Sequence, residues 1–160
     1  MRKRFDPQLH KENDKLARQA IKDILRGTGY RPKDNPKVRE VDILLYKDGE
    51  HTFNIECEIK RVWKGSTFPY PNVQFPERKG KYATLDKPTI FVMFNEDQSS
   101  FLALDGADLI SSPKVEVPNK YVPAGEMFFQ VPVDKICMND LLSIIKKLEE
   151  KWTIKDQRSE

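Results

Sequence analysis

The chain has 160 residues, 38% hydrophobic and 33% charged, with a formal net charge of +3. That length supports one domain with its own core, expected over residues 1–152 with a flexible tail from 153 to 160. No apolar stretch approaches the ~20 residues needed to span a bilayer, and the basic start Met1-Arg2-Lys3-Arg4 leads into charged sequence rather than a signal core. An intracellular, cytoplasmic protein with no membrane partner is the expectation.

In chain order, Leu9, Leu16, Ala17, Ala20, Ile24 and Leu25 give helical spacing from Pro7 to Arg26, with Asp6 as the start signal and Gly27 and Gly29 after the end. Two strands follow, about Val38 to Tyr46 and Glu50 to Val62. The prolines of 64–72 read as a loop, Asn72 to Phe75 as a short strand, and Pro76 as the opening of a helix interrupted by Gly80. Thr89 to Phe94 is continuously apolar and suits a strand buried on both faces. Phe101 to Leu104 is a further strand, Ala107 to Ser111 a short helix, Lys114 to Gly125 a loop and Met127 to Val131 a last strand. Asn139 caps a final helix reaching about Trp152. The order implies an α/β domain with a mixed central sheet covered by helices. Cys57 and Cys137 lie in apolar contexts and read as buried free thiols. His10 and His51 are isolated, read as surface residues, and no Cys/His cluster has zinc-ligand spacing.

The chemistry concentrates in the hairpin. Asp42 is set into the apolar run Val41-Asp-Ile-Leu-Leu-Tyr46, and the next strand reads Phe53-Asn-Ile-Glu-Cys-Glu-Ile-Lys60. Alternation puts Glu56, Glu58 and Lys60 on one face and Phe53, Ile55, Cys57 and Ile59 on the other. A three-residue loop, Lys47-Asp48-Gly49, pairs Tyr46 with Glu50 and Asp42 with Asn54, which brings Asp42 onto the face of Glu56 and Glu58. A two-residue Asp-Gly loop pairs Asp42 with Ile55 and mixes polar with apolar on both faces, so the pattern selects the longer loop. A carboxylate buried without a partner is costly, so converging acids beside a lysine point to a divalent metal. Cross-strand ion pairs on a solvated sheet face are the plainer reading.

Asp42 together with Glu58-Ile59-Lys60 resembles the signature of the PD-(D/E)xK nuclease superfamily, with Val41 where the motif has its proline. The order of elements over the first two-thirds of the chain is similar too. The resemblance implies a restriction-endonuclease-like fold and an Mg²⁺-dependent endonuclease that hydrolyses DNA phosphodiester bonds, with Mn²⁺ substituting. Asp42, Glu58 and the Ile59 carbonyl would hold the metal, and Lys60 would position the attacking water or neutralise developing charge. Glu56 would be accessory or serve a second metal, and Glu12 (or Asp23) on the leading helix a further acid. Holliday-junction resolution, restriction, repair and phage recombination all remain open roles, and a homodimer is allowed. A nucleic-acid-binding or assembly module without catalysis is the alternative.

Charge distribution agrees with a DNA partner. From Lys60 to Lys81, six basic residues (Lys60, Arg61, Lys64, Arg78, Lys79, Lys81) face one acid, Glu77. Gln74, Arg78, Lys79 and Lys81 are the expected contacts to nucleic acid. Trp63, Phe68 and Tyr70, interleaved among them, either stack on bases or pin the proline-rich loop to the body.

Overall fold

The computed structural model describes residues 7–37, 40–118 and 123–158. Asp6, Val38, the side chains of Leu9 and His10, and residues 119–122 of the expected loop lie outside what is described. The chain forms α1 (Pro7–Leu25), β1 (Tyr30–Asp34), β2 (Ile43–Lys47), β3 (Glu50–Ile59), β4 (Asn72–Pro76), a 3₁₀ segment (Glu77–Thr84), β5 (Thr89–Phe94) and β6 (Phe101–Asp105). There follow α2 (Gly106–Ile110), β7 (Lys114–Val117), β8 (Glu126–Pro132), β9 (Cys137–Met138) and α3 (Leu141–Arg158).

Six strands make a mixed central sheet in the order β1-β2-β3-β5-β6-β9, and β4-β8-β7 make a second, antiparallel sheet. Only β3 and β5 run parallel in the central sheet, so the chain must cross over between them. The crossover carries β4 and the 3₁₀ segment. One face of the central sheet packs Ile43, Ile55, Val92 and Phe94 against Ala17, Ile21 and Leu25 of α1 and Ile144, Ile145 and Leu148 of α3. The other packs Phe91, Met93, Leu102 and Leu104 against Val73, Phe75, Phe129 and Val131 of the small sheet, with Trp63 among them. Buried between two apolar layers, every residue of β5 is apolar except Thr89, and all six are buried.

Several expectations are corrected. Leu16 is 47% exposed, and Ile21 takes the buried place in the stripe of α1. An edge strand, β1, precedes the hairpin and contains Pro32, which a strand tolerates at the sheet margin. Part of the expected loop from Lys114 pairs with β8 as β7. The segment after Pro76 is 3₁₀ rather than α, and Gly80 within it packs against Phe129, whose ring would come within 3.0 Å of an added Cβ. Asp140, not Asn139, caps α3, accepting from Ser143 N at 3.0 Å, while Asn139 Oδ1 accepts from Phe101 N at 2.8 Å. The backbone of α3 runs through Arg158, beyond the expected helix end at about Trp152.

The hairpin reaches its predicted facing by a different route. The loop is the two-residue Asp48-Gly49, both with positive φ (51° and 81°), as a twist-matched tight hairpin requires. Lys47 pairs with Glu50 and Tyr46 with His51, but Leu45 pairs with Phe53. Thr52 is therefore an extra residue, a β-bulge that breaks the alternation assumed for β3. Beyond it Leu44 pairs with Asn54 and Ile43 with Ile55, which brings Asp42 opposite Glu56 rather than Asn54.

Candidate active site

Asp42 enters the site from the residue before β2, flanked by Val41 and Ile43, both buried in the core. Its backbone N–H donates to Glu56 Oε1 at 3.2 Å, and its Oδ2 accepts from Cys57 N at 3.0 Å. Two backbone N–H groups, one from each side of the hairpin, thus fix the pair of carboxyls. Glu56 is 6% exposed, so it is the acid withdrawn furthest from water. Glu58, two residues on and on the same face, is half-buried.

The cation among these acids is Lys79. Reaching in from the 3₁₀ segment with a side chain only 13% exposed, its Nζ lies 3.2 Å from Glu58 Oε2 and 3.5 Å from Glu56 Oε2. Burial works against the Lys79 ammonium, but Glu58 and Glu56 outweigh it and hold its pKa above the ordinary lysine range. Burial, reinforced by the Asp42 charge against the pull of Lys79, pushes Glu56 up to about 8. Burial thus favours the protonated form of Glu56, and Lys79–Glu58 is the closer of the two ion pairs. Burial also raises the Cys57 thiol, with Asp42 and Glu56 adding to the effect, so this cysteine is no nucleophile.

The remaining predicted residues separate. Lys60 follows Glu58 along the same face, but among the described residues no ion pair joins it to the acids; its Nζ sits over the Tyr70 ring, 5.5 Å from the centroid. The Ile59 side chain packs against the first core, leaving only its carbonyl as a donor. Glu12 is exposed on α1, bonded to Gln8 at 3.1 Å, and α1 covers the opposite face of the sheet from Glu56. Asp23 is paired with Arg26. Gln74 bonds its cross-strand neighbour Gln130 at 3.3 Å. Arg78 is 71% exposed and lies 3.6 Å from Glu126, while Lys81 is exposed over the Tyr82 ring. The three basic residues do not act as one patch, because Lys79 turns inward. His51 is half-buried rather than a surface residue, with Nε2 2.8 Å from Asn54 Oδ1.

The donor set fits a hard divalent cation. Among the described residues no group of three or more His, Cys, Asp or Glu side chains converges on one point as a ready-made metal cage. Mg²⁺ does not need one, since it binds through one or two carboxylates and keeps several waters. Asp42 and Glu56 are such a pair, joined through the Asp42 N–H at 3.2 Å from Glu56 Oε1. No helix among the described residues is long and apolar enough to cross a membrane. No family model matches the chain, and a search of curated proteins finds no significant relative.

Proposed function

We propose that the chain is a metal-dependent endonuclease of restriction-endonuclease-like fold that hydrolyses DNA phosphodiester bonds. The observation that carries this reading is the Asp42–Glu56 contact, set beside Glu58 and a buried lysine on one sheet face. A divalent cation at such a site supplies Lewis-acid polarisation of the phosphate and a nucleophile at neutral pH. Asp42 and Glu56 would hold it, with Glu58 and the Ile59 carbonyl as further donors on the resemblance. Lys79 pairs with Glu58 and compensates negative charge where water is excluded. Lys60, which forms no ion pair among the described residues, would meet the phosphate.

A second reading, DNA binding without catalysis, draws on one observation: Lys79 already pairs with Glu56 and Glu58, so the acids are compensated without metal. Incubation with plasmid, linear single strands and a four-way junction, in Mg²⁺, Mn²⁺ or EDTA, separates the two. Cleavage that requires metal and is lost in Asp42→Asn and Lys60→Ala is expected. Binding with no cleavage of any substrate in either metal would leave the second reading standing, and full activity in EDTA would sink both.

A further inference from the structure

Past Lys60 the acidic face opens into a cleft of about 410 Å³, within the usual size range of small-ligand sites. Its walls differ in chemistry. One is an aromatic ladder: Trp63 is fully buried, Phe68 meets it edge-on at 5.2 Å, and Tyr70 meets Phe68 at 5.7 Å. The fully buried Asn95 holds the same loop by donating to the Gly65 carbonyl at 2.8 Å. Trp63 and Phe68 thus pin the loop, and Tyr70, 45% exposed, is left presenting its ring.

The facing wall is polar. Gln74 and Gln130 spend one amide hydrogen and one carbonyl on each other, which leaves the Gln74 oxygen and the Gln130 amino group, with Asn72 beside them, for a ligand. A planar ring, in-plane donors and acceptors, and the Lys60 ammonium complement one chemical class, a nucleotide. We propose that this cleft takes one unpaired nucleobase of the strand whose phosphate lies at the acids. The proposal rests on the nuclease reading and gives it a substrate class: single-stranded or locally opened DNA.

Pairing and stacking inside a duplex cover both the faces and the edge of a base, so it must leave the helix to use these walls. Lys60 covers the Tyr70 ring in the free protein. An exposed cation–π contact is weak beside base–aromatic stacking, so a strand that draws Lys60 onto its phosphate also uncovers the ring for its base.

The test is binding of the wild-type protein in EDTA, by fluorescence anisotropy, to a labelled single strand and to its duplex at one salt concentration. The single strand is expected to bind more tightly. Tyr70→Ala should weaken it about tenfold without changing duplex affinity, and Tyr70→Phe should restore it. 2-Aminopurine moved along the strand should be quenched at one position, and the quench should vanish in Tyr70→Ala. Equal losses on both substrates, or no quench at any position, would overturn the cleft. Competition by a free mononucleotide at the oligonucleotide's own affinity would make it a soluble-nucleotide site and overturn the assignment to a strand. Absence of cleavage in Mg²⁺ with this binding pattern intact would overturn the nuclease reading alone.

Discussion

Glu56 gives the site a measurable pH signature. Its folded pKa, about 8, stands above the ordinary 4.5, so between those values the folded state holds a proton the unfolded state has lost. Stability contributed by this group is complete below pH 4.5 and falls as pH rises toward 8, with a slope approaching ~1.4 kcal/mol per unit. Denaturant unfolding in EDTA at pH 5, 6.5 and 8 should show the decline in the wild type and a flatter profile in Glu56→Gln. The neighbours Arg78 and Lys79 are a second contrast. Lys79→Ala strands Glu58 and should cost about 3 kcal/mol, the low end for a broken buried pair because Glu58 is half-exposed. Arg78→Ala removes only a surface ion pair and should cost under about 1 kcal/mol. Sequence alone did not separate these two residues. Which of them turns inward depends on the rotation of the 3₁₀ turn, and no periodic pattern in so short a segment marks that rotation.

At the level of elements, periodicity carried the facing of the hairpin but not its mechanism. Apolar alternation put Asp42 on the face of Glu56 and Glu58 because parity survives where register does not. The bulge left no signal, since Thr52 is an ordinary strand residue and its effect lies in the ladder it interrupts. β1 was hidden by Pro32, and β7 by the prolines around it, because a Pro-bearing strand only becomes plausible once its neighbour is known to leave an edge. The bulge also yields a prediction. Deleting Thr52 joins two stretches already in register, so Asp42 stays opposite Glu56 and metal-dependent cleavage should persist with a stability change of about 1 kcal/mol or less. Deleting Asn54 instead turns Glu56 and Glu58 toward the first core and should abolish folding or cleavage. Circular dichroism and the plasmid assay distinguish the outcomes.

For the whole molecule, the α/β character and the doubly buried β5 were legible in the sequence, while the division into a large mixed sheet and a small antiparallel one was not. Strand order depends on long-range pairing, and β4 and β8 carry no mark in the sequence that they pair with each other rather than with β3. The basic excess between Lys60 and Lys81 is also divided by the fold: Lys79 serves the interior, and Arg78 and Lys81 remain at the surface. If those two meet duplex phosphates, Arg78→Ala with Lys81→Ala should make the log–log salt dependence of DNA binding shallower by roughly 0.9 per lost contact. Lys79→Ala should leave that slope unchanged. Titration of binding against salt measures both.

The parallel pairing of β3 with β5 implies an order of assembly. The acids meet in a local hairpin, which closes quickly, whereas Lys79 rides on a crossover that can settle only after β5 has found β3. During that interval the carboxyls have no lysine among them and are compensated only by water and protons. Lys79 contacts should therefore be absent from the folding transition state, and a chevron for Lys79→Ala should show faster unfolding with a nearly unchanged folding arm. A slowed folding arm would mean that the crossover docks before the central sheet is complete.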